Sequence, residues 1–367
     1  MSHREFNEIL ESEHKTSVSS AGIDLEEKTR SASFFQEDSI IKLYRSKIKG
    51  VEILGIEEAL NEYPQARKYF GSNFKLLNKE YPEDTQGGYY IRVEKNTIVD
   101  LPIQACLFLK TSRFKQKVHN IVIVEEGARA YIITGCASSK SANDGFHLGI
   151  SEFFVKKGGY LNFTMVHSWK EDTSVRPMTT VLVEENATFV SNYICLKPVK
   201  DIVMYPTAIL EGNDSKVSFN SLILSHPGSF QDIGSRAILK GENTQAEIIS
   251  RGVSLGGKII ARAHLKAENK NIKAHLECRG LILSEKGTIF AIPEMESDFR
   301  DVDMSHEAAI GKINKDEIEY LCSRGFSQEE AQAIIVRGFM DVEMLGLPNA
   351  LKKEIEELED KNLKGSF

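Results

Sequence analysis

Between about Tyr89 and Ile292 the chain repeats one small pattern: an alternating apolar run, a short polar turn, then a second alternating run. The turns begin at Val93-Glu-Lys-Asn, Val124-Glu-Glu-Gly, Val155-Lys-Lys-Gly, Val183-Glu-Glu-Asn, Leu210-Glu-Gly-Asn, Leu239-Lys-Gly-Glu and Leu265-Lys-Ala-Glu. Their starts lie roughly 26 to 31 residues apart, a spacing that marks stacked structural repeats. Gly and Asn in these turns suit backbone positions with φ > 0. Flanking runs such as Asn120-Ile-Val-Ile-Val124 and Ala130-Tyr-Ile-Ile-Thr134 are short and β-branched, as strands are. A parallel β-helix accounts for all of this, because each coil buries its inward side chains and neighbouring coils supply the ladder hydrogen bonds. A sandwich or meander of hairpins also fits turns at a fixed period, and the pattern alone leaves both open.

The flanks follow other rules. Residues 1 to about 85 carry helical stretches such as Ile56-Glu-Glu-Ala-Leu-Asn-Glu-Tyr63, broken by Pro64 and Gly71. After Gly311 the chain turns helical again. Asn314-Lys-Asp-Glu317 and Ser327-Gln-Glu-Glu330 read as capping boxes, and Gly325 and Gly338 fall where helix C-caps belong. A charged amphipathic stretch, Asn349 to Leu363, follows Pro348. The expected organisation is a helical region over 1–85, a β-helix over 86–300 and a helical region over 301–367. Flanking helices of this kind would cap terminal coils that otherwise invite edge pairing.

Composition narrows the function. With 41% hydrophobic and 27% charged residues the chain is folded rather than disordered, and a net charge of −7 gives no footprint for nucleic acid. No apolar run approaches the ~20 residues of a membrane span, and the polar, acidic start resembles no signal or transit peptide. The expected compartment is the cytoplasm. Five cysteines are widely separated with no CxxC pair, so neither a zinc site nor a four-cysteine cluster follows from the spacing. Any metal would draw ligands from distant segments or from another chain. No P-loop, dinucleotide glycine fingerprint or nucleophile elbow is present, so ATP hydrolysis is not expected of this chain.

Three places carry candidate chemistry. Cys278 sits in Ala274-His-Leu-Glu-Cys-Arg-Gly-Leu-Ile-Leu, where strand alternation puts it on the face of Leu276 and opposite His275. A buried structural thiol explains it as well as a ligand does. Ser305-His306-Glu307 offers an imidazole and a carboxylate at the end of the β-region, suited to iron or zinc, or else to a solvated junction. Cys136 ends a strand at Thr134-Gly-Cys, and Trp169 is the single tryptophan. Both fit a core, as do Cys106 and Cys195. Cys322 falls at core spacing in the first C-terminal helix and is expected to be structural.

From about Gly88 to Phe339 the sequence resembles the SufB/SufD family of SUF-type iron–sulfur cluster assembly proteins. The likeness runs in order through Gly88-Tyr-Tyr-Ile-Arg-Val-Glu-Lys-Asn, Leu101-Pro-Ile-Gln-Ala105, Leu182-Val-Glu-Glu-Asn-Ala-Thr188, Gln231-Asp-Ile-Gly-Ser-Arg-Ala237 and Ile249-Ser-Arg-Gly-Val-Ser254. It continues through Leu276-Glu-Cys-Arg279, Ser305-His-Glu-Ala308, Ile310-Gly-Lys-Ile313, Tyr320-Leu-Cys-Ser-Arg-Gly-Phe-Ser327 and Ile335-Val-Arg-Gly-Phe339. The resemblance implies a mainly β protein, a right-handed parallel β-helix core with helical N- and C-terminal segments. It implies a non-enzymatic scaffold that carries a transient iron–sulfur cluster at the interface between two core subunits. Its C-terminal helices would dock a SufC-type ATPase, and its sulfur would come from a cysteine-derived donor.

By the same resemblance Cys278 matches the cluster-linked cysteine, and His306 and Glu307 match the family's His and Glu after the β-helix. Cys136 matches a sulfur-accepting cysteine and Trp169 an aromatic residue of the internal sulfur path. This chain departs from the family at His167, where the path has Gln, at Thr179, where it has Lys, and at Phe108 and Lys110, where the SufB branch has Arg and Asn. Carrying both the SufB-type cysteine and the His shared with SufD, it suits a homodimer with one ATPase per protomer. A SufD-like structural platform without cluster ligation is the alternative. A β-helix carbohydrate hydrolase or lyase would need a convergent Asp/Glu cluster, and no repeated outward carboxylate pattern stands out.

Overall fold

The repeat is a stack of parallel coils. In the computed structural model, which describes residues 6–25 and 29–340, the last residues of the first strands form one unbroken line. Val93, Val124, Val155, Val183, Leu210, Leu239, Ala267 and Ser297 pair in register, each with its counterpart one coil away. This gives a β-solenoid of about eight turns with two main parallel sheets, one built from the first strand of each coil and one from the second. The parallel ladders exclude the sandwich of hairpins. The seventh turn begins at Ala267 and not at Leu265. Leu265 is a core residue, and the in–out alternation continues through Lys266 and Ala267 before the chain turns.

Turn chemistry explains the corners. In the first four, the fourth residue of each tetrapeptide has φ > 0: Asn96, Gly127, Gly158 and Asn186. Later corners are one residue longer, and the positive φ moves to Asp214, Asn243 and Asn271. Gly accepts this conformation without a Cβ clash, and Asn and Asp tolerate it best among the rest. In the fourth and fifth coils the first strand is split at Pro177 and Pro206, which lack the N–H a ladder needs.

Helices alone do not make up the N-terminal region. Ala32–Glu37 and Ile40–Ser46 form an antiparallel hairpin, turning at Asp38 with φ 52°, and Ala32–Glu37 also pairs in parallel with Ile103–Leu109 of the first coil. Val51–Gly55 pairs antiparallel with Tyr89–Val93. These strands close the first end of the solenoid, and Phe34 and Ala32 join its interior core. Phe6, Leu10 and Val18 then cover the outer face of the second-strand sheet. Residues 56–76 cover the first-strand sheet, held by buried Glu152, whose carboxylate accepts from the Gly71 and Asn73 amides and from His119.

The solenoid's last strand, Val302–Gly311, lies beyond residue 300, so that boundary cuts through the eighth coil. Among the described residues, no C-terminal helix caps this end. Gln328–Met340 packs along the outer face of the second-strand sheet, with Val336 and Met340 against Leu222, Leu224 and Val253, and Arg251 donates to the Phe339 carbonyl. Lys315–Ser323 buries no residue, and Cys322 on it is exposed, so the expected packed thiol finds no covering face among the described residues. Ser327 and Glu330 form the reciprocal capping box, whereas the Asn314 side chain accepts only from Asp316 N. Gly325, with φ 100°, follows a helix end, but Gly338 lies inside Gln328–Met340. The Asn349–Leu363 stretch lies outside the described residues. No helix among the described residues is long and apolar enough to cross a membrane.

Candidate functional site

Strands Thr288–Ser297 and Val302–Gly311 make up the eighth coil, and each pairs with the seventh coil on one side only. Alternation directs Ile289, Ala291, Met295, Val302, Met304, His306 and Ile310 inward, in register with core residues of the coil before. They are nevertheless partly or largely exposed, Met295 and Ile310 at 40% each. Among the described residues the last coil is thus an open cross-section of the core, bounded by two unpaired strand edges. Such a surface is a template for pairing with another chain.

Cys278 lies one coil beneath this surface. It points inward from Ile272–Ile282, is 2% exposed, and stacks between Ser250 and Ala308. Burial, with a smaller push from the Glu277 carboxylate, raises its thiol pKa to about 11. His306 registers with Leu276 and so faces the same side as Cys278, one coil up and two residues along. Its backbone is about 8 Å from that of Cys278, from a 4.8 Å coil spacing and a 3.3 Å rise. Glu307 does not join them. It registers with Glu277 on the outer face, where Arg279 lies 2.9 Å from Glu277 and 3.9 Å from Glu307. Within one chain, therefore, Cys278 and His306 share the inward face at the open end, and the sheet separates them from Glu307.

The interior behind Cys278 carries two polar files. One runs along the second-strand sheet through Thr134, Met165, Tyr193, Ser221, Ser250 and Cys278. Ser221 Oγ donates to Ser250 Oγ at 3.0 Å, and Thr134 Oγ1 lies 3.0 Å from Tyr89 Oη. Met165, Thr179, Ser191, Ser221 and Ser235 face inward between core neighbours yet remain partly accessible, so the middle coils enclose water-sized space lined by hydroxyls.

The second file stacks Cys136, His167 and Cys195 in consecutive coils. His167 Nδ1 lies 2.9 Å from Tyr193 Oη, Gln231 Nε2 donates to Cys195 Sγ at 3.4 Å, and Trp169 packs between His147 and His167. His167 Nε2 and Trp169 Nε1 are buried without a hydrogen-bond partner. Burial drives the pKa of His147 down to about 3 and that of His167 well below the ordinary range, and pushes Cys195 up to about 12. Cys136 is wholly buried and its thiol pKa is likewise raised. The sequence-marked residues Cys136, His167 and Trp169 therefore do lie together. Tyr193, His147, Gln116 and Gln231 complete their surroundings and were not singled out. Only superposing the coils at their true register brings them into view.

Comparison with known proteins agrees with this architecture. Residues 108–339 match the model described as SUF system FeS cluster assembly, SufBD core domain. The chain is 49% identical over 348 residues to an iron–sulfur cluster assembly SufBD family protein of Archaeoglobus fulgidus, covering 93% of each. It is 41% identical to one of Methanothermobacter thermautotrophicus, covering 94% of this chain and 86% of the relative. A third, from Pyrococcus horikoshii, is 30% identical over 87% of this chain and 73% of its own length. Eight stacked coils and relatives that match almost end to end lead to one statement: this chain belongs to the SufBD family of iron–sulfur cluster assembly proteins.

Proposed function

We propose that this chain is a scaffold on which a transient iron–sulfur cluster is built where the open eighth coils of two copies meet. The observation that carries the reading is the juxtaposition of Cys278 and His306 at an unpaired solenoid end. One thiolate and one imidazole per chain cannot fill the coordination of a cluster, and a second copy supplies another pair. Mixed sulfur and nitrogen ligation is looser than four thiolates, which suits a cargo that must leave. Of the two open edges, Val302–Gly311 has no proline, whereas Thr288–Ser297 carries Pro293, so continued pairing is expected on the former. Glu307 would take part only from the outer face, through a partner or a rearranged edge.

The exposed Lys315–Ser323 helix, with Tyr320 58% exposed and Phe326 42% exposed beside it, is the expected dock for a SufC-type ATPase. Movement of that helix relative to Gln328–Met340 would couple nucleotide binding to the solenoid end. Hydrolysis would belong to that partner and not to this chain. Sulfur from a cysteine-derived donor would enter at Cys136 and pass along the hydroxyl-lined interior, five coils or about 24 Å, to Cys278. Because Cys136 is closed off, entry requires the surrounding coils to open. Five thiols free of disulfides suit a cytoplasmic protein.

The test is anaerobic loading with iron and sulfide of the complex with its ATPase, read by absorption and Mössbauer spectra. Cys278→Ala should abolish the cluster signal while leaving complex assembly intact, and an equal signal in both proteins would remove Cys278 as a ligand. No signal in either would favour a SufD-like platform. Because the Cys278 thiol is protonated below about pH 11, iron loading should release a proton and strengthen as pH rises, by about tenfold per unit for the single thiolate.

A further inference from the structure

On the outer face of the second-strand sheet, a groove of about 470 Å³ runs across the strand starts from the fourth coil to the eighth. Lys216, Gln245, Lys273 and Asp303 register in successive coils along one wall. Ser218, Glu247, His275 and Ser305 register along the other. These side chains point outward because Val217, Ala246 and Ala274, which lie between them, fill the core. The same three residues floor the groove. Its volume falls among those of small-ligand clefts, roughly 300–1,000 Å³.

Charge alternates along this groove. Lys216 stands in the fifth coil, Glu247 in the sixth, Lys273 in the seventh and Asp303 in the eighth, and all four are exposed. Elsewhere on the solenoid, opposite charges in adjacent coils pair directly, as Lys95 does with Glu126 at 2.8 Å and Lys157 with Glu185 at 3.0 Å. The four in the groove do not. Among the described residues none of them lies within ion-pair distance of an opposite charge. Glu247 is set two residues along from the register of both lysines, a backbone distance of about 8 Å, and faces them across the groove. His275 Nδ1 lies 2.9 Å from Ser305 Oγ, which leaves Nε2 without a partner among the described residues.

Exposed ion pairs contribute little in water, so keeping these groups apart costs the fold little and leaves both signs of charge open to a ligand. A complementary ligand carries the opposite sequence, negative, positive, negative, positive from the fifth coil to the eighth. Lys216 and Asp303 are three coil spacings apart, about 14 Å. Four residues of extended chain cover roughly 13–14 Å. We propose that this groove binds a short extended peptide of alternating charge, laid along the solenoid axis. In a free tetrapeptide the terminal carboxylate meets Lys216, a basic side chain Glu247, an acidic side chain Lys273 and the terminal ammonium Asp303. Gln245 and His275 offer hydrogen bonds to its backbone. Its source is either a free peptide or an internal segment of a protein partner.

Calorimetric titration of the full chain at low salt, with the uncapped peptide Ala-Glu-Lys-Ala, tests the groove. Saturable one-to-one binding is expected, weakening as salt is added. Ala-Lys-Glu-Ala has the same composition but sets like charges against Glu247 and Lys273, and should bind about tenfold more weakly or worse. The exchange Glu247→Lys with Lys273→Glu alters only exposed side chains, so the melting temperature should hold while the preference reverses to Ala-Lys-Glu-Ala. A capped Lys-Glu-Lys-Glu peptide that binds more tightly than Ala-Glu-Lys-Ala assigns the groove to a protein segment, and one that binds more weakly to a free peptide. Absence of saturable binding, equal affinity for the two uncapped peptides, or an exchanged variant that keeps the parent's preference would overturn the proposal.

Discussion

The two ends of this solenoid are made from the same coil but finished in different ways. At the first end, a hairpin and a further antiparallel strand are laid over the first coil, and Phe34 is wholly buried with its ring 5.5 Å from that of Tyr89. At the other end, among the described residues, the eighth coil leaves its inward side chains partly bare and both strand edges unpaired, while Gln328–Met340 lies back along the outer face. A capped end serves stability. An uncapped one is a standing cost unless something covers it, and here the uncovered layer contains His306, with Cys278 one coil behind and two residues along.

The difference yields graded expectations. The largest effect on folding belongs to the capped end: Phe34→Ala should cost about 3–5 kcal/mol in urea denaturation, the range for emptying a buried aromatic site, and leave association unchanged. A loss below 1 kcal/mol would mean that the hairpin is an ornament and not a cap. A smaller effect separates the interior from both ends. Buried His147 stays neutral down to about pH 3, whereas in the unfolded chain it protonates near pH 6.5. Its stabilising contribution is therefore whole above pH 6.5 and is lost as pH falls from there toward 3, at about 1.4 kcal/mol per pH unit. His147→Gln should flatten this acid limb when denaturation is followed between pH 7 and 4, and an unchanged slope would contradict the burial account.

Much of this was legible in the sequence because corners are chemically demanding. Gly127, Gly158, Asn96 and Asn186 mark the coils through their backbone conformation, which few residues accept. The exterior was harder. Ala32–Glu37, Ile40–Ser46 and Val51–Gly55 have strand-like alternation, but the neighbouring helical stretches obscured it. Cys322 has helical core spacing, yet periodicity cannot say whether a helix has a partner. His306 and Glu307 are adjacent on a strand and must face opposite ways. That separation follows only once the segment is known to be a strand and not a junction.

The central claim, that the open end is a junction required for cluster assembly, is tested most directly by charging it. Met295→Lys combined with Ile310→Lys places two cations in the last coil at positions already 40% exposed, so folding should survive. Sedimentation velocity and iron content, measured on the same anaerobically loaded samples, should show a dimeric, cluster-bearing parent and a monomeric variant without cluster but with a nearly unchanged melting temperature. A monomer that still loads a full cluster, or a variant that remains dimeric and loaded, would contradict the account.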